Sequence, residues 1–178
     1  DLVLQGVAGR PVMVAESRKD LIDRATVLDG MVIDAQGCAE ALWLRNASPT
    51  LNGCEFLHAA GGPAIRAMDR SSPWIGNSRF HDNADAPGYF EGGSPALSNC
   101  VFAANRVFES RLVDCGGLFF SGGWPEVRAC VFSNNAARAY AALRLINTTS
   151  VVERCVLARN EGGSEGALSI SQGDVTVA

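Results

Sequence analysis

The sequence predicts an all-β solenoid, and a recurring ten-residue segment is the first observation behind this prediction. The segment SPTLNGCEFL at 48–57 returns as SPWIGNSRFH, SPALSNCVFA, WPEVRACVFS and TSVVERCVLA, which begin at residues 72, 94, 124 and 149. Its large apolar residue recurs after 24, 22, 30 and 25 residues, at Phe56, Phe80, Phe102, Phe132 and Leu157. Self-similarity at this period is typical of solenoids, in which a coil buries its apolar face by stacking on its neighbours.

The second observation is that apolar residues alternate with polar ones inside each repeat. One strand follows a small residue, as in ALWL at 41–44, and a second strand follows Ser-Pro. A third strand has the form Cys-x-Phe, with Cys54, Ser78, Cys100, Cys130 and Cys155 expected to face inward beside the Phe column. Inward positions two residues apart require β structure, because side chains alternate between the faces of a strand. We therefore expect about seven coils, each with three short strands around a narrow core.

The chain can be followed in order with this pattern. Residues 1–40 contain short β-favouring runs separated by turns. Leu28, Met31 and Ile33 precede Leu51, Cys54 and Phe56 by 23 residues, so the repeat begins no later than Thr26. The fourth coil has about seven extra residues, which predicts an irregular insertion at about 106–116. We expect residues 1–178 to form a single domain.

The turn after the third strand has a signal of its own. An asparagine lies three residues beyond the apolar anchor in four coils, at Asn83, Asn105, Asn135 and Asn160. Asparagine tolerates the left-handed backbone conformation that a tight turn needs. Stacked coils would also bring these amides together at the spacing of neighbouring strands, about 4.8 Å. The pattern predicts a hydrogen-bonded asparagine ladder with a structural role.

Composition limits the classes of function. The chain has 178 residues, of which 47% are hydrophobic, and a net charge of −4, which suits one soluble domain with a continuous core. Its 15 Lys and Arg are scattered, so nucleic acid is not an expected partner. No apolar run approaches the roughly 20 residues that span a bilayer, and we predict no transmembrane segment. The N-terminus lacks the layout of a signal peptide, which a mature exported protein would have lost.

The repeat SPxLxxCxFxxN, followed by a strand led by Gly or Ala, resembles a known group of proteins. It is similar to the repeats of right-handed parallel β-helix proteins, including the pectin-lyase-like superfamily and bacterial surface repeats akin to polymorphic outer membrane proteins. The resemblance extends over nearly the whole chain and implies a right-handed parallel β-helix. This fold carries lyases, hydrolases, epimerases, adhesins and scaffolds, so the resemblance implies no single function.

No catalytic or metal-binding residues are predicted, and no cofactor. Four of the six cysteines share one inward position, and none forms a C-x-x-C pair, so buried free thiols are the preferred interpretation over zinc or a disulfide between stacked coils. HDNAD at 81–85, beside His58, could hold a cation or a proton-transfer pair, although a polar turn is the preferred interpretation. GGSEG at 162–166 satisfies G-x-S-x-G but precedes a strand, whereas a nucleophile elbow follows one.

An outward row on the first strands is the candidate binding surface. We expect it to contain Trp43, Arg66, Phe119 and Arg144, with either Tyr89 or Phe90 from the third coil, and with Trp74 on the second strand as an additional ring. Aromatic residues and Arg dominate binding hot spots, and exposed rings also stack on sugars. An alternative is that the insertion or other parts of the protein cover these rings.

The sequence therefore favours a non-enzymatic binding or scaffolding module of a larger extracytoplasmic assembly, with a protein or glycan partner. The competing hypotheses are a carbohydrate-active enzyme of the lyase or hydrolase type and a self-associating structural rod.

Overall fold

A computed structural model describes residues 2–7, 9–17, 22–38, 40–110 and 112–178. The strands that it contains are β1 (Val3–Gln5), β2 (Met13–Glu16), β3 (Val27–Asp29), β4 (Val32–Asp34), β5 (Leu42–Arg45), β6 (Thr50–Asn52), β7 (Glu55–Leu57), β8 (Ile65–Met68), β9 (Trp74–Gly76), β10 (Arg79–His81), β11 (Gly88–Glu91), β12 (Ala96–Ser98), β13 (Val101–Ala103), β14 (Arg106–Val107), β15 (Leu118–Ser121), β16 (Glu126–Arg128), β17 (Val131–Ser133), β18 (Ala136–Ala137), β19 (Leu143–Glu153), β20 (Val156–Ala158), β21 (Glu161–Gly162) and β22 (Leu168–Val177).

The strands form stacked parallel sheets, as the sequence predicts. Third strands make a seven-stranded sheet in the order β1-β4-β7-β10-β13-β17-β20, one strand from each of seven coils. First and second strands belong to one twelve-stranded sheet, because β19 and β22 each run through both positions without a break. In β19, IleAsnThrThrSer at 146–150 stands where Gly-Gly and Pro separate β15 from β16. Without these breakers the β-branched residues of β19 continue as one strand.

The core is built from columns of like side chains. Phe56, Phe80, Phe102 and Phe132 are buried and stack coil on coil, with ring centroids 4.8, 4.7 and 4.7 Å apart. Ile33 and Leu157 pair with the two ends of this column, as the spacing predicts. Parallel strands lie about 4.8 Å apart, and the rings adopt the same spacing. The inward register of the third strand is therefore confirmed.

The four asparagines form a continuous ladder beside this column. Nδ2 of Asn83, Asn105 and Asn135 each donates to Oδ1 of the asparagine in the next coil, at 2.9, 2.8 and 3.0 Å. Each Nδ2 also donates to the carbonyl oxygen of the phenylalanine in the preceding coil, for Asn160 that of Phe132 at 2.9 Å. The ladder thus satisfies main-chain groups that the turn would otherwise bury without a partner.

One detail of the turn prediction is wrong. The left-handed residue is the one before each asparagine, with φ between 54 and 56° at Asp82, Ala104, Asn134 and Arg159. Since Asp, Ala, Asn and Arg all occupy that position, backbone conformation does not select the ladder asparagine. Its side-chain amide, which donates along the column and accepts from it, is the reason for its recurrence.

The segment predicted as an irregular insertion begins with regular structure. Strand β14 pairs in parallel with β18, which pairs with β21, so a small third sheet follows the ladder. Beyond β14, Ser110 Oγ donates to Asp85 Oδ1 at 2.7 Å and accepts from the main-chain N–H groups of Leu112 and Val113. Cys115 then returns to the stack through a parallel bridge to Tyr140. Ser110 therefore attaches the insertion to the coil before it.

We predict that Phe102→Ala lowers the free energy of unfolding by about 3–5 kcal/mol. The ring has a stacked phenylalanine on both sides, and hydrogen-bonded strands hold the coils apart, so the cavity cannot collapse. Chemical denaturation measures the loss. Val101→Ala, at the adjacent outward position, is the matched control and should cost less than about 1 kcal/mol. Equal losses for the two variants would contradict the assigned faces.

We predict that Asn135→Ala lowers the free energy of unfolding by roughly 1–3 kcal/mol, because it leaves buried amide and carbonyl groups of two coils without partners. Asn134→Ala is the control, since the preceding coil already has Ala104 at that left-handed position. Thermal denaturation compares the two. Similar melting temperatures would mean that the ladder contributes no more than any polar turn.

Candidate functional site

The strand register places one outward residue from each first strand in a single row. Val14 pairs with Trp43, then the row continues through Arg66, Tyr89, Phe119, Arg144 and Ser169. We call the segment Trp43, Arg66, Tyr89, Phe119 and Arg144 the outward stripe. All five of its side chains are half-buried. The main-chain ladder thus positions five large side chains in a line on one face of the solenoid.

The hypothesis that Phe90 faces outward is wrong. Phe90 is 1% exposed and stacks on Phe120 inside the core, with ring centroids 5.0 Å apart. Its strand partner Ala67 is also buried, whereas Tyr89 pairs with Arg66 and Phe119. The turn after Glu91 is one residue shorter than the turn of the preceding coil, and this leaves the register open in the sequence. The hydrogen bonds of β11 to β8 and β15 place Tyr89, and not Phe90, in the outward row.

Trp74 lies outside the stripe. It belongs to the second strand of its coil, where it pairs with Thr50 and Ala96. Its six-membered ring covers Gly76, at which a Cβ atom would lie only 2.0 Å from Trp74 Cη2. Gly76 is buried as a result, so the half-buried indole serves partly to close the main chain beneath it.

Within the stripe, rings and guanidinium groups are stacked along the solenoid axis. The rings of Tyr89 and Phe119 are 5.2 Å apart and 7° from parallel. Cζ of Arg66 lies 5.3 Å from the centroid of the Trp43 ring, and Cζ of Arg45 lies 5.6 Å from it. Because Tyr89 and Phe119 face each other, each ring covers one face of the other. The pair therefore leaves fewer open ring faces for a sugar than two separate rings would.

Three N–H groups of the stripe have no acceptor. Among the described residues, the buried side-chain nitrogen and oxygen atoms without a hydrogen-bond partner are Nε1 of Trp43, Nε of Arg66 and Nε of Arg144. All three are donors in one row, where stacked neighbours exclude water. A buried donor without a partner costs roughly 1–3 kcal/mol.

Charges around the stripe are mixed. Nη1 of Arg66 lies 3.4 Å from Oε1 of Glu40, a carboxylate that is nearly buried, and Nη1 of Arg144 donates to Ser169 Oγ at 2.5 Å. Burial and the nearby charge of Glu91 raise the pKa of the Tyr89 hydroxyl, which therefore stays protonated as a donor at neutral pH. Arg144 Cζ also lies 4.6 Å from the ring centroid of Tyr140.

The histidines of this region lie beside carboxylates. His81 Nε2 is 2.6 Å from Glu55 Oε1, and His81 Nδ1 is 2.6 Å from Asp82 Oδ2. His58 Nδ1 is 2.9 Å from Asp34 Oδ1. Both ring nitrogens of His81 are therefore engaged by carboxylates of the same chain. Asn83, in the same HDNAD segment, belongs to the ladder. The described residues also contain no group of three or more His, Cys, Asp or Glu placed to hold a metal ion.

The six cysteines are free thiols, and five are buried. Burial raises the pKa of Cys115 to about 12. The contact with the Cys100 thiol and burial raise the pKa of Cys130 to about 12, against an opposing effect of Cys155 in the next coil, and the contact with Cys130 lowers the pKa of Cys100. The thiols behave as small apolar core residues whose Sγ atoms donate to main-chain carbonyl oxygens.

Asp85 is the buried carboxyl group that joins the insertion to the coils. It is 1% exposed and accepts from Ser110 Oγ and from the main-chain N–H of Ala86, both at 2.7 Å. Burial raises its pKa above the ordinary value of 3.8, and the nearby charges of Glu40 and Asp114 add to the effect. These hydrogen bonds only partly offset the cost of burying the charge.

We predict that Asp85→Asn stabilises the protein at pH 7 and has little effect near pH 3. The folded-state pKa is raised, so the native state loses stability as pH rises from about 4 through that pKa, and the loss persists above it. Asparagine keeps an oxygen for Ser110 and Ala86 without the charge. Denaturation of both proteins at several pH values measures the difference. The exposed carboxylate of Asp174 supplies the control, Asp174→Asn; a stabilisation independent of pH would contradict the assignment.

One exposed residue was not singled out from the sequence. Trp124 is 64% exposed, the highest value for any described aromatic side chain. It stands before Pro125, where the earlier coils have Ser48, Ser72 and Ser94 before proline. This departure from the repeat was the signal that could have identified it.

Together, seven stacked coils and a hydrogen-bonded asparagine ladder define a parallel β-solenoid protein. The chain belongs to the right-handed β-helix family, because the family model described as right handed beta helix region matches residues 23–177. No curated protein and no solved structure matches the chain significantly. Within the described ranges, no helix has the length and hydropathy needed to cross a bilayer.

Proposed function

We propose that this protein is a non-enzymatic binding or scaffolding module of a larger extracytoplasmic assembly, and that the outward stripe contacts its partner. The observation that carries the proposal is the row of Trp43, Arg66, Tyr89, Phe119 and Arg144 on one face. Trp, Tyr and Arg are the residues most enriched at binding hot spots. Outward positions of the third strands contain Glu55, Arg79 and three valines instead, so large rings are not the default for this fold.

A protein partner fits the stripe better than a glycan. Sugars bind to open aromatic faces, whereas Tyr89 and Phe119 each cover one face of the other. Ring edges and guanidinium groups suit the carbonyl oxygens, carboxylates and apolar side chains of a protein surface. The row is rigid, since every residue in it is held by a strand on each side, and rigid anchors lose little entropy on binding.

The three unpartnered donors support a role in binding. Trp43, Arg66 and Arg144 hold N–H groups away from water at a cost to stability. Residues selected for solubility would leave these groups hydrated. A surface that departs from local stability in this way is typical of functional sites, where strain and desolvation are retained for the bound state.

We predict that Trp43→Ala and Phe119→Ala each weaken partner binding by at least about 2 kcal/mol while the domain remains folded. Partner proteins would be captured from extracts of the source cells, then purified so that affinities for the wild type and each variant can be compared by calorimetry. Val131→Ala, an outward change on β17, is the matched control and should bind like the wild type.

Two further measurements test the competing functions. Incubation with acidic and neutral polysaccharides, followed by assays for unsaturated products and new reducing ends, should give no turnover; turnover would favour the enzyme. Size-exclusion chromatography over a range of concentrations should give one species, because a self-associating rod would grow with concentration. If Trp43→Ala and Phe119→Ala lower the melting temperature and leave partner affinity unchanged, the stripe is internal packing and the proposal fails.

A further inference from the structure

A second surface, in the turns between first and second strands, shows two departures from the repeat that meet in space. The turn between first and second strands normally contains a serine before proline. The N–H of Ser72 donates to Ser48 Oγ at 2.9 Å, and the N–H of Ser94 donates to Ser72 Oγ at 2.8 Å. At the next position Trp124 replaces serine, and the main-chain N–H of Trp124 donates to the carbonyl oxygen of Gly93 at 2.8 Å. The serine column ends there, below an exposed indole.

The second departure is at Arg70. Three successive first strands are followed by two residues with positive φ: Asp69 and Arg70, then Gly92 and Gly93, then Gly122 and Gly123. Glycine adopts this conformation without steric cost, whereas a residue with a Cβ atom does not. Two coils use the glycine pair, and one has Asp-Arg in a turn that is one residue longer. Since left-handed residues elsewhere in the chain include Arg154 and Arg159, the backbone neither requires nor forbids arginine at position 70.

Both departures line the same open depression, of about 550 Å³. The rest of its lining consists of Ser72, Ser94 and the glycines at 92, 93 and 123. Arg70 and Trp124 lie 54 residues apart in the chain, and the stacking of coils brings them together. A Cβ atom at Gly92 would meet open space, whereas Cβ atoms at Gly93 and Gly123 would meet the main chain of the neighbouring coil.

The depression combines hydrogen-bond donors with one cation, Arg70, and one aromatic ring, that of Trp124. Among the described residues, neither the guanidinium of Arg70 nor the indole N–H of Trp124 has a hydrogen-bond or ion-pair partner. No carboxylate is among the described residues that line the depression, and the adjacent Asp69 pairs with Arg45 at 3.4 Å. The charge of Arg70 is therefore free to pair with an anion, and guanidinium groups bind carboxylates through two parallel hydrogen bonds.

From the convergence of these two departures, we propose that the depression binds organic carboxylates that have a flat apolar body, with Arg70 pairing with the carboxylate and Trp124 covering the apolar part. Free aromatic acids and the C-terminal residue of a peptide share this chemistry. The site is independent of the outward stripe and of the partner proposed for it, since the two lie on different strands and turns.

Two-dimensional ¹H–¹⁵N NMR of the indole N–H groups tests the proposal, because the three tryptophans report separately and Trp124→Ser identifies the signal of Trp124. Phenylacetate should shift the Trp124 signal saturably, with a dissociation constant of roughly 1–10 mM for so small a ligand, while Trp43 and Trp74 stay in place. Phenylacetamide, which lacks the charge, should bind at least tenfold more weakly. N-acetyl-glycyl-phenylalanine and its amide then distinguish a peptide terminus from a free acid.

Arg70→Gly is the decisive variant, since it installs the residue that the other coils use. It should weaken phenylacetate binding at least tenfold and leave the melting temperature equal or higher. Trp124→Ser restores the serine column, and it should remove phenylacetate binding while the fold persists. Arg138→Gln, at an exposed position outside the depression, should change neither phenylacetate binding nor the melting temperature. Any of three results would overturn the proposal: equal binding of phenylacetate and phenylacetamide, shifts of all three indole signals, or a lowered melting temperature of Arg70→Gly. Preferred binding of glucuronate over phenylacetate would overturn it in favour of a sugar acid.

Discussion

The hydrogen bonds between parallel strands of successive coils are the constraint on which the rest of this structure depends. They hold neighbouring coils at one strand spacing, about 4.8 Å, and therefore place equivalent residues directly above one another. Stacked phenylalanines 4.7–4.8 Å apart are one consequence, and asparagine amides joined at 2.8–3.0 Å are another. A side chain that suits one coil then suits the next, and this is why the sequence repeats.

The same constraint acts on the outer surface, with a different energetic result. Inside, stacking buries apolar rings and satisfies amides, so each column stabilises the fold. Outside, stacking brings guanidinium and aromatic groups together and leaves Nε of Arg66 and Arg144 without acceptors. The outward stripe is for this reason the surface that we propose for contact with a partner.

A repeat also makes exceptions informative. Where three coils use serine and one uses tryptophan, or two use glycine and one uses arginine, local backbone requirements cannot account for the exception. Arg70 and Trp124 are such exceptions, and they occur in the same depression. Asp85 is a third, because a buried carboxylate in an otherwise apolar corner serves to attach the insertion through Ser110. Solenoids commonly place function in insertions and substitutions of this kind, since the core columns tolerate few changes.

The sequence by itself determined the fold class, the strand columns and the asparagine ladder, because these follow from residues that recur at one spacing. Leu28, Leu51 and the phenylalanine anchors could be aligned without coordinates.

Tertiary structure alone decided the rest. The choice between Tyr89 and Phe90 depended on hydrogen bonds to neighbouring coils, since a turn shortened by one residue leaves two registers with equally apolar residues. The unpartnered donors and the meeting of Arg70 with Trp124 depend on contacts between coils, and a pattern along one chain contains no information about which exceptions share a face.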